Sequence, residues 1–149
     1  MLKTILPVLV TFTVATALPN EESKGYSWAQ LLNAIRYVET GSQRNGGIGA
    51  VGDNGKALGP YQIWEIYWLD ANIKNRRYKE VLHDKKLSER VIYNYMKRYQ
   101  PEPHRRFQAG TASLSDVEII SRTHNGGPKG ILKKSTKTYF RKVVTALRR

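Results

Sequence analysis

Glu39 and Asp53 are the two carboxylates whose positions in the sequence point to catalytic chemistry. Glu39 lies near the end of an apolar pattern with helical spacing. On a helical wheel with Ile35 at zero it falls at roughly +40°, among apolar neighbours that span roughly −60° to +60°. Burial on that face disfavours the ionised form of a carboxyl group, as a general acid requires. In the alternative interpretation, Glu39 points into water near the helix end or pairs with Arg36.

Asp53 opens the turn Asp53-Asn54-Gly55 in a Gly-rich segment, a polar environment in which a carboxylate stays ionised. Two carboxylates in opposite protonation states are what cleavage of a glycosidic bond requires. One protonates the leaving oxygen, and the other stabilises or attacks the oxocarbenium-like centre. The alternative is structural, because Asp frequently begins tight turns.

The first half of the chain contains the elements that position these two residues. Ser27 and Gln30 form a capping box, and the apolar spacing that follows predicts a helix over 28–40 that stops at Gly41. The segment 41–59 is rich in Gly and predicts a small hairpin. The run over 61–72 is apolar nearly all round and predicts a buried helix.

The second half of the chain is predicted to be helical as well. Ser88 begins a helix that Pro101 and Pro103 end, and 102–112 is interpreted as a surface loop. Ser115 and Glu118 suggest a second capping box.

That second capping box opens a short helix, which ends at 125–128, and a terminal helix begins at about 136. The predicted fold class is therefore α+β, mainly α: a helical domain with one small β-hairpin.

Composition limits the class of protein. The chain has 149 residues, 25 Lys plus Arg against 12 Asp plus Glu, a net charge of +13 and no Cys. These values predict one domain and exclude disulfides, thiolate nucleophiles and Cys-based metal sites. The three His are widely separated and lack paired metal-ligand spacing, so no metal site is expected. The positive charge predicts an anionic partner.

The N-terminus has the pattern of a targeting segment. Residues 1–17 combine a basic start, an apolar run and small residues at a cleavage position, which predicts a secretory signal peptide. The apolar run is shorter than the ~20 residues that span a bilayer, which disfavours the alternative of a membrane anchor. Residues 18–26 are expected to be a disordered lead-in, and 27–149 the catalytic domain.

Several motifs taken in order resemble one family. Val38-Glu39-Thr40-Gly41, Gly52-Asp53 and Gly59-Pro60-Tyr61-Gln62-Ile63 resemble the active-site half of the invertebrate-type (destabilase-like) lysozymes. Arg122-Thr123-His124-Asn125-Gly126-Gly127-Pro128 resembles a segment of the second half, and the resemblance covers about 34–144. The family is usually rich in Cys, whereas this chain has none.

The resemblance implies a lysozyme-like fold and a secreted, bacteriolytic muramidase. Such an enzyme hydrolyses the β-1,4 bond between N-acetylmuramic acid and N-acetylglucosamine in peptidoglycan. It implies Glu39 as the general acid and Asp53 as the second carboxylate, with Asp70 as the fallback. The implied sugar contacts are Tyr61, Gln62, His124, Asn125 and Gly126. Alternatively, Tyr61 belongs to the core, and 124–128 is only a turn that stops a helix.

Two other functions remain open on sequence grounds. A lytic transglycosylase would use Glu39 alone and release 1,6-anhydro sugars, and a non-catalytic cationic protein would bind walls through charge. Segment 54–58 contains no serine, so the isopeptidase activity credited to some family members is not predicted. A monomer without cofactor, nucleic acid or membrane anchor is expected, with the anionic bacterial wall as its partner.

Overall fold

The computed structural model describes residues 25–41, 43 and 45–149. Within these residues the chain forms six α-helices, three short 3-10 helices and three two-residue strands, which confirms the α+β, mainly α fold class. The helices are α1 (Trp28–Thr40), α2 (Glu65–Ala71), α3 (Lys85–Tyr99), α4 (Pro101–Ala109), α5 (Leu114–Gly126) and α6 (Thr136–Leu147). The strands are β1 (Val51–Gly52), β2 (Ala57–Leu58) and β3 (Ile63–Trp64). The predicted signal peptide, 1–17, lies outside the described residues.

The ordered domain includes the end of the expected lead-in. The backbone N–H of Tyr26 donates to the carbonyl oxygen of Ala112 at 2.9 Å. A side chain at Gly25 would lie 2.5 Å from the carbonyl oxygen of Gly110. This corrects the expectation of disorder for Gly25 and Tyr26, whereas residues 18–24 lie outside the described part of the chain.

Helix α1 begins and ends where its sequence predicts. The Ser27 hydroxyl accepts from the backbone N–H of Gln30 at 3.1 Å, and the Gln30 side chain accepts from the N–H of Ser27 at 3.0 Å. The helix ends at Gly41, whose φ of 30° is accessible to glycine at little cost. Leu31 and Ile35 are completely buried on its inner face.

The β part is larger than the single predicted hairpin. The turn Asp53–Gly55 connects β1 and β2 as expected, but a second turn leads into β3, giving an antiparallel sheet in the order β1-β2-β3. Gly59 and Gln62 have φ of 74° and 49° in this second turn. Because a right-handed helix cannot continue through such residues, the helix predicted over 61–72 starts only at Glu65.

Helix α3 starts one turn before the predicted cap. Asp84 is the residue that caps it, and its carboxylate accepts from the N–H of Leu87 at 2.8 Å. Ser88 is instead completely buried inside the helix, with its hydroxyl 3.1 Å from the carbonyl oxygen of Val81.

The expected surface loop over 102–112 is mostly helix α4. Pro101 and Pro103 occupy its first turn, where the backbone N–H groups have no partner within the helix, so proline is compatible with it. Helix α5 is then capped by Ser113 and Asp116 rather than by Ser115 and Glu118. The Ser113 hydroxyl accepts from the N–H of Asp116 at 3.3 Å.

The helices enclose a single core, and the terminal helix α6 covers one side of it. Helix α6 packs against both α1 and α5, while α2 packs against α3. The residues that expose none of their surface include Leu31, Ile35, Val81, Val91, Ile92, Met96, Val117, Ile120 and Val143. Among the described residues, no helix has the length and apolar character needed to cross a membrane.

Candidate functional site

Glu39 is the last residue but one of helix α1, and its side chain is 18% exposed. The following residue, Thr40, fixes this helix end: its hydroxyl lies 3.1 Å from the carbonyl oxygens of both Arg36 and Pro60. Gly47 passes so close that a Cβ there would lie 2.3 Å from the Thr40 hydroxyl oxygen. The carboxyl group of Glu39 is therefore held at a rigid helix end with one side open to solvent.

Tyr139 on helix α6 binds this carboxyl group directly. Its hydroxyl donates to Oε1 of Glu39 at 2.6 Å across the packed α1–α6 interface. The sequence places Tyr139 on the apolar face of the terminal helix, as the structure confirms with an exposure of only 9%. Nothing in the helical periodicity identifies the partner of its hydroxyl, because that partner lies on a distant element.

His124 on helix α5 faces the same oxygen of Glu39. Its Nε2 lies 3.5 Å from Oε1 of Glu39, and its Nδ1 lies 3.3 Å from the hydroxyl of Tyr67 on α2. A neutral imidazole with its proton on Nε2 satisfies both contacts, because Nδ1 then accepts from Tyr67 while Nε2–H points to the carboxyl group. Glu39, His124, Tyr67 and Tyr139 form what we call the Glu39 cluster.

The two tyrosines of the Glu39 cluster are kept neutral by their surroundings. Burial, followed by the charge of Glu39 and the hydrogen bond to it, raises the pKa of the Tyr139 hydroxyl well above its usual value. Burial also raises the pKa of Tyr67, with smaller contributions from Tyr95 and Glu39. Tyr139 therefore remains a hydrogen-bond donor to Glu39 throughout the physiological pH range.

Asp53 and Gln62 lie together at the edge of the sheet. A Cβ on Gly52 would lie 2.0 Å from Oε1 of Gln62, so the Gln62 amide rests directly on the strand residue that precedes Asp53. Asp53 itself is exposed, with φ of 46° at the start of the turn. The turn that carries Gln62 contacts the end of α1, because the Thr40 hydroxyl lies 3.1 Å from the carbonyl oxygen of Pro60.

Tyr61 occupies a different position from the one expected. Its side chain exposes no surface, and its hydroxyl donates to Oε1 of Glu89 on α3 at 2.7 Å. Burial and the contact with Glu89 raise the pKa of this hydroxyl far above its usual range. The expectation that Tyr61 lines a sugar cleft is therefore corrected, because a side chain with no exposed surface cannot contact a polysaccharide.

Asn125 and Gly126 follow His124 in the last turn of α5. Asn125 is exposed, whereas a Cβ on Gly126 would lie 2.6 Å from the Thr136 side chain at the start of α6. Gly126 thus allows α5 and α6 to approach each other. The helix then stops at Gly127, which has φ of 80°. The segment 124–128 therefore both ends helix α5 and places His124 beside Glu39.

Asp70, the fallback carboxylate, lies near the end of α2. Burial and then the charge of Asp70 raise the pKa of Tyr95. Among the described residues, no hydrogen bond or ion pair links Asp70 to Glu39.

A cavity of about 1430 Å³ lies between the sheet and the start of α3, and it contains none of the predicted site residues. Most of its charges are paired with each other: Arg76 contacts Glu80 and Asp84, and Lys85 contacts Glu89. Over residues 25–41, 43 and 45–149, no three His, Asp or Glu side chains converge as metal ligands do.

The fold agrees with comparisons to known proteins. The sequence model of the family named Destabilase matches residues 30–146. The chain belongs to the destabilase family. This membership confirms the resemblance that the ordered motifs carry.

Characterised relatives of this destabilase-family chain are lysozymes. Lysozyme 1 of Crassostrea virginica is 32% identical over 122 residues, which make up 81% of this chain and 60% of that protein. The lysozyme of Meretrix lusoria is 31% identical over 113 residues, 75% of this chain and 84% of that one. The chain spans 60% and 61% of the lengths of the Crassostrea virginica and Ostrea edulis lysozymes.

Solved structures support the same relationship. Inhibitor-bound lysozyme from Meretrix lusoria superposes with a TM-score of 0.62 at 28% identity, covering 81% of this chain and 91% of that one. The Tapes japonica lysozyme superposes with a TM-score of 0.60 at 24% identity, covering 80% and 89%, and supports the fold.

Proposed function

We propose that this destabilase-family protein is a secreted lysozyme that hydrolyses the β-1,4 bond between N-acetylmuramic acid and N-acetylglucosamine in bacterial peptidoglycan. The observation that carries the proposal is the placement of Glu39. Its Oε1 accepts from Tyr139 and faces His124, while the side chain keeps 18% of its surface exposed. The charge of +13 favours encounter with an anionic wall.

Glu39 acts as the general acid in this proposal. Because Tyr139 and His124 both contact Oε1 of Glu39, the other carboxyl oxygen, Oε2, is the one available to hold a proton. No described residue forms a hydrogen bond with Oε2. A proton there points toward the glycosidic oxygen of a bound glycan and is delivered as the bond breaks, while Oε1 stays anchored.

Asp53 acts as the second carboxylate. It lies in an exposed turn, beside a Gln62 amide able to hydrogen-bond an acetamido sugar. An ionised carboxylate at this place stabilises the positive charge that develops on the sugar ring, or attacks it. The exposed Asn125, next to His124, supplies a further amide from α5. The reaction needs no cofactor.

The test is the clearing of purified bacterial walls by wild type and by Glu39→Gln, with analysis of the released sugar ends. Glu89→Gln is the matched control, because Glu89 also accepts a hydrogen bond from a buried tyrosine. We expect the wild type and Glu89→Gln to release reducing ends, and Glu39→Gln to lose at least about 10³-fold in rate.

Other outcomes distinguish the remaining functions. Release of 1,6-anhydro ends instead of reducing ends identifies a lytic transglycosylase. Equal behaviour of wild type and Glu39→Gln contradicts enzymatic action and leaves a cationic wall-binding protein.

A further inference from the structure

The C-terminal part of the chain carries a concentrated positive charge. Residues 119–149 contain nine Lys or Arg and no Asp or Glu. Arg122 is buried and pairs with Glu118. The other eight cations are exposed, and none forms an ion pair with a described residue: Lys129, Lys133, Lys134, Lys137, Arg141, Lys142, Arg148 and Arg149.

Helix α6 carries part of this charge on its exposed surface, whereas Tyr139 points inward to Glu39. Arg141 and Lys142 line a shallow groove of about 520 Å³ between α6 and α1, together with the hydroxyl-bearing Thr138 and Thr145. The guanidinium of Arg141 donates to the Thr138 hydroxyl at 2.9 Å. Lys137 extends the same exposed surface by one turn. We call Lys137, Arg141 and Lys142 the α6 cationic face.

A second groove continues the cationic face along the same helix pair. It has a volume of about 410 Å³ and is lined by residues of α1 and the end of α6, among them Tyr37 and Arg149. The Arg149 guanidinium lies 4.5 Å from the Tyr37 ring centroid and donates to its hydroxyl. Tyr37 borders both grooves, so together they form one continuous cationic seam.

We propose that this seam binds a phosphodiester polymer of the bacterial wall, with polyol phosphate as its repeating unit. Guanidinium and ammonium groups recognise phosphate oxygens, and neighbouring hydroxyls add hydrogen bonds. The exposed face of α6 carries no large apolar side chain. A membrane is disfavoured as the partner, because surface helices bind bilayers by burying apolar side chains.

The position of the seam indicates how polymer binding would assist glycan hydrolysis, and this part of the inference rests on the proposed lysozyme function. Helix α6 directs Tyr139 inward to Glu39 and the cationic face outward. A wall polymer bound to the exposed cations holds the enzyme on the wall while the Glu39 cluster acts on glycan. Polymer binding and glycan hydrolysis are therefore separable by substitution.

The experiment compares two triple variants that each lose three positive charges. One is Lys137→Gln/Arg141→Gln/Lys142→Gln, and the control is Lys74→Gln/Lys79→Gln/Lys86→Gln, whose lysines are exposed and form no ion pair within the described residues. Affinity for purified poly(glycerol phosphate) is measured at several salt concentrations, and hydrolysis of a soluble, uncharged chito-oligosaccharide is measured in parallel.

We expect the α6 variant to bind poly(glycerol phosphate) at least about 10-fold more weakly, and the slope of log affinity against log salt to fall by about 2 to 3, as for loss of contacts to other polyanions. The control should stay within about 3-fold, and both variants should hydrolyse the oligosaccharide as the wild type does. Thermal unfolding confirms that both variants are folded.

Three results would overturn the inference. Equal losses in both variants mean that net charge alone drives binding. Tight binding to phosphatidylglycerol vesicles that only the α6 variant loses identifies a membrane as the partner. Equal affinity for DNA of the same length, lost in the same variant, removes the selectivity for the wall polymer. Failure of the wild type to release reducing ends from purified walls contradicts the proposed function instead, while the polymer measurements still test whether the seam binds the polymer.

Discussion

The Tyr139 hydroxyl and Oε1 of Glu39 lie 2.6 Å apart although 100 residues separate them in the chain. The bond joins the end of α1 to the inner face of α6. Because burial strongly raises the pKa of Tyr139, its hydroxyl stays protonated and donates to the carboxyl group across the physiological pH range. One oxygen of the proposed acid is thereby fixed, and the other has no hydrogen-bond partner among the described residues.

Tyr139→Phe should lower kcat by about 10- to 100-fold with little change in KM, because the carboxyl group loses its orientation but the sugar contacts remain. Tyr61→Phe is the matched control, since it also removes a hydroxyl that donates to a carboxylate, at 2.7 Å to Glu89. Steady-state kinetics on a soluble oligosaccharide and thermal unfolding separate the two roles. Equal kinetic losses in both variants would reduce Tyr139 to a structural residue.

Asp53→Asn should lower kcat by about 10²- to 10³-fold, because charge stabilisation of the sugar ring is lost. Asp70→Asn should change it by less than about 3-fold, since no hydrogen bond or ion pair links Asp70 to Glu39 within the described residues. The same oligosaccharide assay checks both. The reverse pattern would assign the second carboxylate to Asp70.

Stability should decline on acidification because of His104. The residue is 5% exposed, its imidazole packs edge-on against Trp28 and Tyr93, and its Nε2 has no partner among the described residues. Burial and then the charge of Lys97 lower its pKa below 6.5. Below about pH 6.5 the unfolded chain therefore binds a proton on His104 more readily than the folded protein does. The contribution of His104 to the free energy of unfolding is complete above about pH 6.5 and is lost as the pH falls toward its lowered pKa in the folded protein.

His104→Phe should weaken this dependence, seen as a smaller change of the urea midpoint between pH 7 and pH 5. His83→Gln, at an exposed position, is the control and should leave the dependence unchanged. A wild-type midpoint that does not fall over this range contradicts the assignment.

Ser113→Ala should destabilise the protein by about 1 kcal/mol, because Ser113 caps α5 by accepting from the N–H of Asp116. Ser115→Ala should have almost no effect, since Ser115 is exposed within the helix. For a domain of this size the difference corresponds to about 3 °C in melting temperature. Differential scanning calorimetry measures it, and equal shifts would contradict the cap assignment.

Local patterns predicted the parts of the fold whose causes are local. The capping box of α1, the turn at Asp53–Gly55 and the start of α6 all depend on residues within a few positions of each other. Helix α4 escaped prediction because Pro101 and Pro103 were interpreted only as terminators. Proline at the start of a helix and proline beyond its end leave the same signature in sequence.

The candidate site divides in the same way. The spacing on α1 predicted that Glu39 lies on the inner face, and the resemblance added His124. The contact between Glu39 and Tyr139 could not be predicted from pattern, because it depends on how α1 and α6 pack. Tyr61 shows the opposite case. Its motif predicts a residue of the sugar cleft, but Tyr61 lies in the turn before β3 and its side chain is buried in the core.

The separation of Glu39 and Tyr139 along the chain also affects when their contact forms during synthesis of the protein. At roughly 5 to 20 residues per second, the ribosome adds Tyr139 about 5 to 20 s after Glu39. Until then the acid lacks the donor that orients it, whatever the rest of the domain has formed. A chain that ends before α6 therefore lacks the contact between Tyr139 and Glu39.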